Sequence, residues 1–103
     1  MLWHILIPRR ESSAVFDWDD ANIEHIHDHR IEPDEAEEAL LDPFSLGVAA
    51  YNARGERRQG ALGSTTNGRI LVVVFTLRHG RPRVVTARDA TRTEKRRYQK
   101  RGK

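Results

Sequence analysis

The 103-residue sequence contains no cysteine. This absence excludes disulfide bonds, zinc sites built from thiolates and thiol chemistry, and it fits the reducing cytoplasm, where we expect the protein to be located. The chain is also short. A domain of this size buries only about 60 to 70% of the surface that its unfolded chain exposes, so we expect one domain with one modest core.

Long apolar runs are missing as well. The apolar stretch at residues 2–7 contains His4 and is followed by Pro8 and two arginines. It is too short to span a membrane and lacks the features of a secretory signal, so we expect no membrane attachment. We interpret residues 1–14 as a loosely held arm, or as the product of an upstream start codon, with an added edge strand as the alternative. The folded domain is then expected at residues 15–103.

Recognisable metal and phosphate motifs are also lacking. His25 and His29 have the spacing of a two-histidine metal site, but neither an H-E-x-x-H glutamate nor a distant third ligand accompanies them. The glycines at 60, 63 and 68 are not followed by the lysine of a phosphate-binding loop. We therefore expect neither a metal ion nor a cofactor.

Charge is present in abundance and is unevenly distributed. Residues 1–53 contain three basic and twelve acidic side chains, a net charge of −9, whereas residues 54–103 contain fifteen basic and three acidic ones, a net charge of +12. A basic half of this density is typical of proteins that bind a polyanion, because each neutralised phosphate releases condensed counterions. The alternatives are a solvated surface, or neutralisation of the basic half by the acidic half.

The acidic half predicts a short strand and two helices. Residues 15–18 are a β-prone run, and the aspartates around residue 19 favour the start of a helix at residues 20–28. On that helix His25 and His29 share a face with Asn22, apart from the apolar side chains. Pro33 favours the start of a second helix, which ends before Asp42-Pro43.

The basic half predicts four antiparallel strands and a last helix. Strands are expected at 44–51, 58–64, 69–77 and 83–87, with the third central and covered on both faces. Asn67-Gly68 favours a type I′ hairpin turn before this central strand. Thr91 and Glu94 form a capping-box pattern that begins a helix reaching about residue 100. The predicted fold class is α+β: a short β-strand, a two-helix hairpin, a four-stranded antiparallel sheet and a C-terminal helix.

The order of these segments resembles the BrnT-type toxins of bacterial type II toxin-antitoxin systems, whose fold is similar to that of RelE-like ribonucleases. The resemblance covers about residues 15–98. Family members often have Lys-His-Gly where this chain has Asp28-His29-Arg30, and a lysine soon after the Trp-Asp pair, where this chain has Ala21. The matching pieces are Phe16-Asp17-Trp18-Asp19, Asn22-Ile23-Glu24-His25 with His29, Glu35-x-x-Glu38-Ala39-Leu40-x-Asp42-Pro43, Arg58-x4-Gly63, Asn67-Gly68-Arg69-Ile70-Leu71-Val72-Val73, and Thr86-Ala87-Arg88-Asp89-Ala90-Thr91 with Glu94 and Tyr98.

The resemblance implies a toxin that inhibits translation by cleaving RNA without a metal ion. It also implies a cognate antitoxin, a small DNA-binding protein of the BrnA kind that represses the shared operon. Whether the toxin also forms a homodimer stays open.

RNA cleavage without metal requires a base, an acid and cations at the phosphate. Histidine suits proton transfer near neutral pH, and arginine can hold a phosphate with two hydrogen bonds. The candidate catalytic residues are His25, His29, Arg58 and Arg88. The candidate RNA-binding residues are Arg69, Arg78, Lys95, Arg96 and Tyr98, of which the tyrosine offers a stacking surface for a base.

Each candidate also has a structural interpretation. The histidines are compatible with surface or capping roles, Arg88 with an ion pair to Asp89, Asp17 or the second helix, and Tyr98 with packing of the last helix on the sheet. Two other functions compete with the nuclease. One is a non-catalytic module of the same fold that binds RNA or a partner, and the other is a structural subunit.

Overall fold

The structure is a computed structural model that describes residues 15–101. The expectations for residues 1–14 lie outside this range. None of the described helices is long and apolar enough to cross a membrane. The elements are α1 (Asp20–His27), α2 (Pro33–Leu41), β1 (Leu46–Ala53), β2 (Glu56–Ser64), β3 (Ile70–Arg78), β4 (Arg81–Asp89) and α3 (Arg92–Gln99). This layout confirms the predicted α+β class.

The segment before α1 differs from the prediction. Residues 15–19 form an irregular segment instead of a strand. It is joined to β4 by a single backbone hydrogen bond, in which the Asp17 N–H donates to the Pro82 carbonyl at 2.8 Å. Among the described strands Pro82 lies on the edge of the sheet, where proline is tolerated because its missing N–H leaves no gap in the pairing with β3.

The sheet has the order β1-β2-β3-β4, and all neighbouring strands are antiparallel. The first and last hairpins close with two-residue loops in which both residues have positive φ: Arg54 and Gly55 at 53° and 77°, and His79 and Gly80 at 54° and 76°. These angles match the type I′ geometry that suits the twist of paired strands.

The predicted type I′ turn at Asn67-Gly68 is wrong. Of these two residues only Gly68 has a positive φ, 86°. The loop is longer because Thr65 closes it: its carbonyl accepts the Gly68 N–H at 2.9 Å, and its N–H donates to the Arg69 carbonyl at 2.8 Å. The Thr65 hydroxyl also accepts the Arg69 N–H at 3.0 Å. A single left-handed residue is sufficient for this wider turn.

Each of the three described helices begins with a capping contact between its N-cap residue and the residue three positions later, and in α1 and α3 this contact is reciprocal. The Asp19 carboxylate accepts the Asn22 N–H in α1, the Glu32–Glu35 pair caps α2 ahead of Pro33, and the Thr91–Glu94 pair caps α3. Each contact satisfies backbone donors that the first turn of a helix leaves unpaired. The predicted starts of α2 and α3 are thereby confirmed.

The core lies on both faces of the sheet. One cluster packs the α1–α2 hairpin against β3 and β4, and the other packs α3 against the opposite face. Successive residues of β3 alternate between them, with Leu71 and Val73 in the first cluster and Val72 in the second. The prediction of a central strand covered on both faces is confirmed for this part of β3.

The α2 helix lies very close to β2. A Cβ atom at Gly63 would stand 2.1 Å from the Ala39 carbonyl oxygen of α2. Only glycine allows this approach, because the Ala39 carbonyl belongs to the helix backbone and cannot rotate away from an added side chain. Gly63 therefore sets how closely the helical hairpin can pack on the sheet.

Candidate functional site

An open cleft of about 580 Å³ lies between α1 and the part of the sheet near the β1–β2 and β3–β4 turns. Two cross-strand pairs, Tyr51 with Arg58 and Thr76 with Arg83, contribute all four of their side chains to its lining. The polar lining residues are Asn22, His25, Tyr51, Arg54, Glu56, Arg58, Thr76, Arg78, Arg83 and Thr86. Four guanidinium groups and one imidazole thus surround one cavity.

Asn22 fixes the position of α1 beside β4. Its side chain is buried, and its Nδ2 donates to the carbonyls of Asp17 and Val84, each at 3.0 Å. Both donor positions of the amide are used inside the fold. Asn22 is therefore an anchor of the helix, a role that its position on the polar face with the histidines does not reveal from the sequence.

His25 lies on α1 close to this anchor and lines the cleft. Its Nε2 is 3.1 Å from the Thr86 hydroxyl oxygen of β4. The centroid of the His29 ring is 5.7 Å from that of His25, which confirms that the two histidines share a face. His29 follows the helix and is not among the residues that line the cleft.

Arg58 and Arg78 face the cleft from β2 and β3. The Arg58 side chain is only 20% exposed, and its Nε atom is buried without a hydrogen-bond partner among the described residues. Glu56 connects the two arginines: Oε1 is 3.6 Å from Nη2 of Arg58, and Oε2 is 3.3 Å from Nη2 of Arg78. Two candidate residues from the sequence, Arg58 and Arg78, are therefore neighbours across one carboxylate.

Arg83 is the most firmly held arginine of the cleft. Its Nη1 is 3.0 Å from Oδ2 of Asp19 and 3.6 Å from Oδ2 of Asp17. The hydrogen bond with Asp19 raises the pKa of Arg83 and lowers the pKa of Asp19. Arg83 thus ties the start of α1 to β4 at the edge of the cleft.

Arg88 and Arg69 lie outside the cleft in bidentate ion pairs. Nη1 and Nη2 of Arg88 donate to the two carboxylate oxygens of Glu94 at 2.8 and 3.0 Å, and this contact lowers the pKa of Glu94 to about 2. Arg69 donates to Asp89 at 2.8 and 3.2 Å, to Glu35 at 3.0 Å and to the Arg30 carbonyl at 2.9 Å. The structure does not bring these two arginines together with Arg58 and His25.

Tyr98 packs α3 against the sheet. The side chain is 7% exposed, and its hydroxyl donates a short hydrogen bond to the Asp42 carboxylate at the end of α2. Burial opposes the charge of Asp42, but this hydrogen bond and those from two backbone N–H groups lower its pKa. The Arg101 guanidinium lies 3.9 Å from the Tyr98 ring centroid. Lys95 and Arg96 are exposed on α3, away from the cleft.

Within residues 15–101, no group of three or more His, Cys, Asp or Glu side chains is arranged to hold a metal ion. The family model of BrnT, the ribonuclease toxin of type II toxin-antitoxin systems, matches residues 18–94, which include every described residue that lines the cleft. The chain belongs to the BrnT toxin family. A search of curated proteins found no match.

Membership in the BrnT family confirms the resemblance seen in the sequence. The family consists of ribonuclease toxins that belong to toxin-antitoxin systems. An antitoxin is therefore the partner that membership implies for this BrnT-family chain. The matched region begins at Trp18, whose indole N–H donates to Glu37 of α2 at 2.7 Å, and ends at Glu94, the partner of Arg88. Both ends of the match are thus residues that join separate elements of the fold.

Proposed function

We propose that this BrnT-family toxin inhibits translation by cleaving RNA in the cleft between α1 and the sheet, through a transesterification that needs no metal ion. The observation that carries the proposal is the convergence of His25, Arg58 and Arg78 in one open cavity. An imidazole supplies proton transfer, and the two guanidiniums supply positive charge at the phosphate. These are the chemical groups that metal-free RNA cleavage requires.

In the proposed reaction the 2′-oxygen of the RNA attacks the adjacent phosphorus and the bond to the 5′-oxygen breaks. The products are a 2′,3′-cyclic phosphate and a 5′-hydroxyl. His25 accepts the proton of the 2′-hydroxyl. His29 does not line the cleft, but its ring centroid is 5.7 Å from that of His25, which makes it the second imidazole proposed to protonate the leaving oxygen. The hydrogen bond between His25 and Thr86 orients the imidazole at the cleft wall.

Arg58 and Arg78 are proposed to hold the phosphate that reacts. Negative charge on its oxygens increases in the transition state, where a preorganised guanidinium is most effective. Arg54 at the cleft, with Lys95 and Arg96 on α3, adds positive surface for the rest of the RNA. We give Arg69 and Arg88 a structural part, since carboxylates already hold their guanidiniums.

The partner and the location follow from the same proposal. We propose that the antitoxin is a BrnA-like DNA-binding protein that covers the basic cleft and so prevents access of RNA. Translation takes place in the cytoplasm, where the toxin would act. Residues 15–103 would form the toxin domain.

Cleavage of single-stranded RNA by the purified protein in EDTA tests the proposal. We expect products with 2′,3′-cyclic phosphate ends, and growth arrest when the toxin is expressed alone. His25→Ala and Arg58→Gln should each lower the cleavage rate by about 100-fold or more. His27→Ala is the matched control, because His27 lies on the same helix in an exposed pair with Glu32 and outside the cleft.

Three outcomes would contradict parts of the proposal. A folded protein that leaves RNA intact at low salt is not a ribonuclease, and salt-sensitive binding without cleavage would instead identify a non-catalytic RNA-binding module. Activity that EDTA abolishes would require a metal ion. Equal losses in the His25 and His27 variants would remove His25 from the chemistry.

A further inference from the structure

One carboxylate lies among the positive side chains that the described residues place in the cleft. Of the described residues that line it, four are arginines and only Glu56 is acidic. Arg83 has its own partners, the aspartates at 17 and 19. Glu56 is therefore the carboxylate that contacts two of the remaining three arginines, Arg58 and Arg78, from inside the cleft.

Glu56 occupies the space between Arg58 and Arg78. Its two carboxylate oxygens point to different arginines, Oε1 toward Arg58 and Oε2 toward Arg78. A phosphate group whose oxygens contact the same two guanidiniums would need the same position. An RNA phosphate and the Glu56 carboxylate cannot both occupy it.

We propose that Glu56 is a built-in competitor of the RNA phosphate, which the substrate must displace from Arg58 and Arg78 before it can bind. The inference rests on the proposed function, because it concerns the phosphate position in the same cleft. It goes further by identifying the residue that sets the affinity of this position for RNA. The carboxylate acts on substrate binding, and the proton transfers stay with the histidines.

The geometry of Glu56 suits a contact that can be displaced. Glu56 makes one contact with each arginine, from one carboxylate oxygen to one guanidinium nitrogen, at 3.6 Å for Arg58 and 3.3 Å for Arg78. The first of these exceeds the range of a hydrogen bond, whereas Arg88 and Glu94 form two bonds at 2.8 and 3.0 Å. The 34% exposure of the Glu56 side chain lets the displaced carboxylate enter water. The cost of breaking this contact is accordingly small.

Arg58 provides a second, independent reason to expect another acceptor. Its Nε atom is buried and has no hydrogen-bond partner among the described residues, although the side chain carries a full positive charge. A buried donor without an acceptor is costly, so a ligand that supplies an acceptor is favoured there. Glu56 does not satisfy this donor, so a phosphate that shifts the Arg58 side chain can gain a bond that the carboxylate does not make.

The test compares RNA affinity in Glu56→Gln and in the wild type. The probe is a fluorescent single-stranded RNA with 2′-O-methyl groups, which binds but cannot be cleaved, and the readout is anisotropy. We expect Glu56→Gln to bind about threefold to fivefold more tightly, because the glutamine lacks the charge that competes with the phosphate. The slope of the logarithm of the association constant against the logarithm of the salt concentration should become steeper by up to about 0.7. This is the contribution of one more neutralised phosphate of a single strand.

Glu24→Gln is the matched control, since it removes the same charge from an exposed position of α1 that does not line the cleft. An equal gain in both variants, or weaker binding in Glu56→Gln, would overturn the proposal. Glu56→Asp shortens the side chain by one methylene and so withdraws the carboxylate from the arginines, and this variant should also bind the RNA probe more tightly. It replaces Glu56→Gln if the glutamine variant does not fold. Tighter binding by Glu56→Gln in a protein that cleaves no RNA would preserve the inference and reject only the nuclease.

Discussion

Arg88 and Glu94 form a bidentate ion pair, with two nitrogens of one guanidinium bonded to two oxygens of one carboxylate. The pair joins the end of β4 to the first turn of α3. Glu94 also accepts the Thr91 N–H at 2.8 Å, so one carboxylate both caps the helix and attaches it to the sheet. This relationship gives Arg88 a part in stability that its position in the sequence did not reveal.

The first prediction concerns this pair. Arg88→Gln and Glu94→Gln should each lower the free energy of unfolding by about 1 kcal/mol at pH 7, a modest value because the Arg88 side chain is 45% exposed and water screens the pair. The double variant should show a coupling of about 0.5 to 1 kcal/mol in urea unfolding. Additive losses would mean that the two side chains act independently.

The same pair predicts a pH dependence. The pKa of Glu94 is lowered from its ordinary 4.5 to about 2, so the carboxylate contributes stability above pH 4.5 and loses it as the pH falls toward 2. The stability difference between the wild type and Glu94→Gln should therefore shrink over this interval. Urea unfolding at several pH values measures this stability difference. A difference that stays constant from pH 5 to pH 2 would contradict the lowered pKa of Glu94.

A second prediction concerns the contact between α2 and β2. Gly63→Ala should lower stability by about 2 kcal/mol or more, because the new methyl group meets the backbone of Ala39 and α2 must move. Gly47→Ala in β1 is the control, since nothing lies within 4 Å of a Cβ atom at that position. Thermal unfolding that shifts equally in both variants would show that the close approach of α2 is not what Gly63 provides.

Local patterns in the sequence predicted the elements well. The capping box at Thr91 and Glu94 and the proline at position 33 act within one helical turn, so the sequence alone contains the interacting groups. The Asn67-Gly68 prediction was wrong because the loop depends on Thr65, outside the two residues considered. Turn type is decided by the register of the two strands as well as by the turn residues.

The cleft was predicted only in part. His25, Arg58 and Arg78 were singled out, but Glu56 and Arg83 were not. Their roles depend on which residues of neighbouring strands lie side by side, which becomes known only with the register of the sheet. The sequence likewise could not show that Arg69 and Arg88 are held by carboxylates elsewhere in the fold, since charge density alone does not distinguish a paired arginine from a free one.

A third prediction concerns the backbone after α1. Arg30 has a φ of 61°, in the left-handed region, at the position where family members often have glycine. Arg30→Gly should raise stability by about 1 kcal/mol, because glycine adopts this conformation without a steric cost. The control is Asp28→Gly, two residues earlier at a φ of −62°, where glycine should give no gain. Urea unfolding distinguishes the two, and a loss of stability in Arg30→Gly would mean that the arginine side chain matters more than the backbone strain.

The last prediction concerns Ala21, which stands in the region where family members often carry a lysine. Ala21 is exposed in the first turn of α1 and lines the cleft. Ala21→Lys should strengthen binding of the 2′-O-methyl RNA by several-fold, because it adds a cation beside the arginines. The slope of the logarithm of the association constant against the logarithm of the salt concentration should become steeper by up to about 0.7. A small loss of stability, about 0.3 to 0.5 kcal/mol, should accompany it, since a positive charge is unfavourable at the start of a helix.

Ala49→Lys is the control for this prediction. Ala49 is exposed on β1 and does not line the cleft, so the same charge is added to the molecule at another place. If RNA reaches the cleft, Ala21→Lys should bind more tightly than Ala49→Lys at low salt, and the two affinities should converge at high salt, where both charges are screened. Equal affinities at low salt would show that the RNA responds to the net charge of the protein instead of to the cleft.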